Sequence, residues 1–388
     1  MSEKRVTWIS LSKSIALILV ILVHSTPRDP LSGILTGFVL PAFFILFGVT
    51  HNNDKHRQDL RSYLYSRFRS LMIPYFLLTL AMMAIYAISY PHVNLGLSPL
   101  DFVYWSLYGN GPPGRVTHLW FLRTMFFAIV LFSIVDRYLY NKPTIFRLAI
   151  IGIAPAIGSS FKVLLGVALI PWGIDAVFIA LSFMMMGNEI RRYRQLSKWS
   201  ISPLVDSFTI PISIMIFMAL TLMNGFVNIG ESIYGVSVYY YMGTGLLGTY
   251  FLNVLSYHAT NHSDWVSVVA IKFNKYSQEI YEVHPMIIQM NIVFLSNFAI
   301  WQYLTIYPGA PLFLVNITTS IFGSWFIAAM VINKSRILKF IFCGSKLSKS
   351  KTPQETVVPP DQIVVPESIV KMATEEELPL IEEVTGGI

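Results

Sequence analysis

Long apolar runs alternate with short polar segments through most of the chain. Ten such runs lie near residues 7–26, 32–51, 70–90, 118–136, 146–161, 165–187, 206–224, 238–257, 278–297 and 310–333. Most reach the roughly 17–25 residues that a helix rising about 1.5 Å per residue needs to cross a bilayer core. The pattern predicts an all-α, polytopic membrane bundle of about ten transmembrane helices. The first run is followed by Pro27-Arg28-Asp29-Pro30 and not by a small-residue cleavage site, so it reads as a retained helix, not a removed signal peptide.

Composition agrees. Of 388 residues, 54% are hydrophobic and only 13% charged, where a soluble domain carries roughly a quarter charged. The formal charge of +7 is therefore no sign of a nucleic-acid partner, because in such chains Lys and Arg collect in the cytoplasmic loops. They do so here. Segment 52–69 holds Lys55, Arg57, Arg61, Arg67 and Arg69; 137–147 holds Arg137, Lys142 and Arg147; 188–200 holds Arg191, Arg192, Arg194 and Lys198. Lys272 and Lys275 lie in 258–277, and Lys334, Arg336, Lys339 and Lys346 follow the last run. The alternate segments carry few cations, Arg28, Arg115 and Lys162 among them. The positive-inside rule then sets both termini in the cytoplasm. The single cysteine, Cys343, excludes an internal disulfide. The domain expectation is a transmembrane unit over 1–340 and a cytoplasmic tail over 341–388, acidic, proline-bearing and too poor in apolar surface to offset its ordering entropy.

Ionisable groups inside apolar runs are expensive and mark function by default. Lys13 and His24 stand eleven residues apart in the first run. At about 100° per residue they share a helix face, separated by roughly 16 Å along the axis. Arg67 and Arg69 precede Pro74-Tyr75 at the start of the third run, and planar guanidinium groups suit phosphate. His118, Trp120 and Arg123 open the fourth run behind a Gly/Pro-rich segment. Asp175 lies at the outer end of the sixth, and Glu279, Glu282 and His284 at the start of the ninth. For each a plainer role exists: snorkelling for Lys13, cytoplasmic flanking for the arginines, an interfacial aromatic belt for Trp120, packing for the glutamates. His258 and His262 are spaced as metal ligands on a helix but have no third ligand nearby, and no metal is expected.

Together these clusters resemble acyltransferase family 3, integral-membrane enzymes that O-acylate extracytoplasmic carbohydrates. The basic residue, ten residues and histidine of the first span are Lys13 and His24. "FFILFGVT" (Phe43 to Thr50) resembles a second-span motif, with Phe47 at a position usually serine. Arg67, Arg69, Pro74 and Tyr75 match an arginine run before Pro-Tyr. Trp120, Phe121 and Leu122 match a "WFL" segment; Pro171, Trp172 and Asp175 an "lPw…D" element; Ser277, Ile280, Tyr281 and His284 a late "S..IY..H". Ser10 stands where many relatives have an aspartate. The resemblance covers about residues 5 to 340 and points to the fucose 4-O-acetylase-like branch of sugar O-acetylases.

It implies an enzyme moving an acyl group, most simply acetyl, from cytosolic acyl-CoA (acetyl-CoA) to a hydroxyl of exopolysaccharide, O-antigen or a lipid-linked saccharide, in the bacterial inner membrane beside polysaccharide-synthesis machinery. No resident cofactor is implied. His24 and Lys13 are the implied catalytic pair. Arg67 and Arg69, helped by Arg61, would hold CoA phosphates, and His118, Trp120, Arg123, Asp175 and His284 would line the acceptor site. The competing expectation is a transporter or flippase for a polysaccharide precursor.

Overall fold

The computed structural model describes residues 7–25, 30–89, 96–112, 117–193, 202–296 and 310–345. Among these residues there is no strand, only an isolated bridge between Asn228 and Ile233. The helices are α1 (Thr7–Ser25), α2 (Pro30–Thr36), α3 (Val39–Thr50), α4 (Asp54–Gln58) and α5 (Leu60–Arg67). A π turn, Phe68–Met72, leads into α6 (Ile73–Ser89), followed by α7 (Pro99–Tyr108), α8 (Trp120–Leu139), α9 (Thr144–Leu165) and α10 (Ile174–Tyr193). Then come α11 (Pro203–Asn224), α12 (Val238–His262), α13 (Asp264–Asn274), α14 (Ser277–Ser296), α15 (Ala310–Phe326) and α16 (Arg336–Cys343). Residues 346–388 of the expected tail, with Arg28, Arg115, Arg194 and Lys198, lie outside the described residues.

Among the described residues, seven helical stretches are long and apolar enough to cross a bilayer: Thr7–Ser25, Ser32–Thr50, Leu60–Ile88, Thr144–Leu165, Pro171–Tyr193, Pro203–Asn224 and Leu314–Lys334. They fit the expected polytopic helical bundle. The other three expected runs fold as the long helices α8, α12 and α14. These carry the polar load that lowers their apolarity, including Arg123 and Asp136 on α8 and Glu279, Glu282 and His284 on α14.

Helices α7 and α16 lie outside the expected runs, and three other stretches depart from the pattern for a local reason. The run 32–51 is two helices, not one. Pro41 lacks the N–H that would bond the Gly37 carbonyl four residues back and crowds that oxygen. Thr244 on α12 takes it over, Oγ1 donating at 3.0 Å. Segment 52–69 is not a loop but α4 and α5, continuous with α6 through the π turn. Pro74 frees the Ser70 carbonyl in the same way, and Gln278 Nε2 donates to it at 2.9 Å. Segment 258–277 holds α13, fixed against α1 where Ser14 Oγ donates to Ala270 O at 3.3 Å.

At the heart of the bundle α3 and α10 approach at reciprocal glycines. A Cβ on Gly48 would stand 2.1 Å from Met184 O, and one on Gly187 would stand 2.0 Å from Ile45 O. Small residues that admit a neighbouring backbone are the usual device for packing helices where lipid supplies no hydrophobic drive. At one end of these helices, three cation-bearing segments meet on two carboxylates. Asp136 Oδ1 accepts from Arg147 Nη1 at 2.8 Å, and its Oδ2 accepts from Arg57 Nε at 2.8 Å and His56 Nε2 at 3.0 Å. Glu189 accepts from Arg147 Nε and, at 3.2 Å, from Arg192 Nη1.

Candidate active site

His24 occupies the last turn of α1, and α1 is unbroken from Thr7 to Ser25. The eleven-residue spacing to Lys13 therefore acts as expected: both share a face, about 16 Å apart along the axis. What meets His24 across the bundle is His284 of α14. His24 Nδ1 and His284 Nε2 are 2.8 Å apart, and the rings lie edge to edge and nearly coplanar, with centroids 5.1 Å apart and 18° between planes. His284 Nδ1 in turn lies 3.2 Å from Ile280 O, one helical turn back.

His118 joins them from the turn before α8. Its Nε2 is 3.1 Å from Glu282 O, and its ring centroid is 6.4 Å from that of His284. Tyr281, one turn before Pro285 on α14, donates its hydroxyl to His118 O. Three imidazoles from three separate segments thus converge around one face of α14.

His24 is exposed on the wall of a cavity of about 200 Å³. Trp120, Tyr281, Ser32, Thr36 and Asn228 share that wall with apolar side chains such as Val20 and Leu40. The turn Ile229–Glu231 lies flush on the Trp120 indole, because a Cβ on Gly230 would fall 2.7 Å from Trp120 Cε2. An imidazole, an aromatic face and a few hydroxyl or amide groups in an apolar wall are what a small polyol needs to be held and oriented.

Arg123 and Asp175 are not on that wall. Arg123 is fully buried one turn beyond Trp120, within electrostatic reach of Tyr75, Asp175 and Tyr281. Its Nε and Nη1 have no hydrogen-bond partner among the described residues. Gly173, with φ +58°, lets the turn before α10 come close: a Cβ there would stand 2.7 Å from Arg123 Nη2. Asp175 is buried, accepts the Tyr234 hydroxyl at Oδ2 and has Oδ1 unpaired among the described residues. His284, likewise buried, does not line the cavity either.

The three arginines lie elsewhere, about the α5–α6 junction. Arg69 directs Nε and Nη2 at Gly344 O, at 3.2 and 2.8 Å, and so caps the C-terminus of α16. Arg67 stands over the Tyr63 ring at 5.1 Å, and Arg61 is exposed. Lys13 is half-buried. His258, weighed as a metal ligand, instead pairs with Asp206 at 2.8 Å.

A family model for an acyltransferase domain matches residues 6–329. The chain belongs to acyltransferase family 3. No curated protein and no solved structure matches it. The match spans every element that builds the histidine cluster and the cavity, and it favours the enzyme over the flippase. In this acyltransferase the sequence motifs are joined by groups that spacing did not reveal: Tyr281 as the bond to His118, Asn228 and Ser32 on the cavity wall, and the Asp136–Arg147–Glu189 network. The network had a signal in Asp136, an acid directly before the cations of segment 137–147.

Proposed function

We infer that this membrane acyltransferase moves an acetyl group from cytosolic acetyl-CoA to a hydroxyl of an extracytoplasmic carbohydrate, in the manner of the sugar O-acetylases. The observation that carries this reading is His24 on a cavity wall beside Trp120, with its other nitrogen engaged by His284. A neutral imidazole is well matched to taking a proton from an alcohol near neutral pH. His24 removes the hydroxyl proton; the hydroxyl oxygen bonds to the thioester carbonyl carbon; the carbon–sulfur bond breaks; and the proton passes to the departing sulfur. Atoms and charge balance with no further reagent. Trp120 offers its face to the sugar ring.

Lys13 cannot touch the same reacting centre. Reacting atoms must come within about 3–3.5 Å, and roughly 16 Å of helix separates the two side chains' backbones. Its charge suits a donor phosphate, with the pantetheine arm reaching towards His24, and Arg67 and Arg61 suit the same donor. Arg123 and Asp175 support the acceptor wall from behind. The meeting of three cationic segments on Asp136 and Glu189 supports a cytoplasmic location for that end of the bundle, in a bacterial inner membrane with both termini inside.

The test is acyl transfer in membranes carrying the full chain, supplied with radiolabelled acetyl-CoA and the host's own polysaccharide. Label that mild alkali releases from polysaccharide should vanish with His24→Ala and fall sharply with Lys13→Ala. Wild-type transfer by His24→Ala would end this reading.

A further inference from the structure

Only an unprotonated ring nitrogen takes a proton, so the tautomer of His24 decides whether it is a base at the cavity or a spectator. Two hydrogen bonds decide that tautomer. His284 Nδ1 lies 3.2 Å from the Ile280 carbonyl, which can only accept, so the hydrogen sits on Nδ1. A neutral imidazole carries one N–H, which leaves His284 Nε2 a bare acceptor. That acceptor is 2.8 Å from His24 Nδ1, so His24 holds its own hydrogen on Nδ1. Its Nε2 is then the lone pair available on a residue that lines the cavity. The sequence is directional: Ile280 O fixes His284, and His284 fixes His24.

The surroundings restrict His284 to this office. It is fully buried and absent from the cavity wall, so it does not reach an acceptor sugar. The edge-to-edge, nearly coplanar rings, 18° between planes, aim Nδ1 of His24 at His284 Nε2, and turning the His24 ring over would break the 2.8 Å bond. His118, whose Nε2 is spent on Glu282 O, does not compete for His24 Nδ1.

We propose that His284 is a positioning residue that selects the Nδ1–H form of His24 and thereby presents Nε2 as the base towards the acceptor hydroxyl. The proposal rests on His24 being that base. It replaces the acceptor-lining role implied by the family resemblance with an action through His24 alone.

The experiment uses the same membranes, radiolabelled acetyl-CoA and host polysaccharide, with variants that separate packing from hydrogen bonding. His284→Phe and His284→Leu fill the space but offer no acceptor. His284→Gln keeps an amide oxygen near the position of Nε2. General-base assistance is worth about 10²–10⁴-fold, so whichever apolar variant keeps the wild-type melting temperature should lose about 10²-fold or more in turnover. The KM for acetyl-CoA should stay put, and Gln should recover most of the loss. If both apolar variants fail to fold, the Gln variant alone decides, and a folded His284→Gln that has lost 10²-fold or more, by the same scale, overturns the proposal. So does a folded Phe or Leu variant at the wild-type rate while His24→Ala is inactive. Activity in His24→Ala itself would instead remove the reading of His24 as base.

Discussion

Arg147 and Asp136 form an ion pair from which water is excluded: Nη1 stands 2.8 Å from Oδ1, with side-chain exposures of 1% and 0%. Asp136 is the hub, since Arg57, His56 and Asn53 also donate to its carboxylate, Asn53 Nδ2 at 3.2 Å. Arg147 closes the far side on Glu189 and, at 2.7 Å, on Asn188 Oδ1. Removing one partner of a buried pair leaves an uncompensated charge, at a cost of about 3–5 kcal/mol. Asp136→Ala should therefore lower the melting temperature in detergent sharply. The double variant Asp136→Leu with Arg147→Leu should cost less than the sum of its singles, because neither charge is then orphaned. Additive losses would mean the two groups do not act as a pair.

The α3–α10 seam makes a second prediction. Gly187→Ala places a methyl 2.0 Å from Ile45 O, and Gly48→Ala places one 2.1 Å from Met184 O. Backbone atoms cannot yield as a flexible side chain does, so each should reach or exceed the roughly 1–3 kcal/mol typical of overpacking. Gly152→Ala on α9 is the control, because nothing lies within 4 Å of its added carbon. Equal melting temperatures for the Gly152 and Gly187 variants would show that the helices do not meet this closely.

The apolar runs made the long helices legible, because a membrane helix must be nearly apolar along its whole length. The polar helices α4, α5 and α13 were not legible: they are short and held by contacts with distant chain, such as Ser14 with Ala270. The break at Gly37–Phe38 was signalled by Pro41, but the Thr244 hydroxyl that stabilises it comes from 207 residues away. The site divides in the same way. Spacing within α1 put Lys13 and His24 on one face, whereas His284 lies 260 residues from His24 and no spacing rule joins them. The family motifs named both residues without saying that they touch. Charge alone cast Arg69 as a phosphate ligand, and only the fold shows that two of its donors end on Gly344 O.

His51 supplies a pH dependence outside the membrane spans. Burial holds its pKa far below the usual 6.5, down to about 3, with His56, Arg67 and Arg191 pushing the same way and Asp136 opposing. The folded protein thus binds fewer protons here than the unfolded chain. Its contribution is complete above the unfolded pKa of 6.5 and is lost as pH falls from there towards about 3. Between about pH 7 and pH 5 the melting temperature should fall, and His51→Gln should flatten that slope. Gln keeps a donor for His56 Nδ1, which His51 Nε2 meets at 2.9 Å. An unchanged slope in the variant would assign the titration to another group.

Arg69 and Arg67 should separate by the kind of damage their loss does. Gly344 ends α16 with φ +58°, and a Cβ there would meet Arg69 O at 1.6 Å, so the Arg69 backbone and guanidinium both grip this one residue. Arg69→Ala removes a forked, charge-assisted bond worth about 1.5–3 kcal/mol. It should lower the melting temperature and change the KM for the acyl donor little. Lys in its place keeps the charge but not the fork, and should restore little of the stability. Arg67, which overlies the Tyr63 ring at 5.1 Å and grips no helix end, should show the opposite balance: if it holds the donor as proposed, Arg67→Ala should raise the KM for acetyl-CoA more than it lowers the melting temperature. Gly344→Ala is the partner variant, because its Cβ would force the Arg69 backbone away from α16 while both guanidinium groups are kept. It should melt as early as Arg69→Ala, and a wild-type melting temperature would show that α16 does not depend on the Arg69 contact.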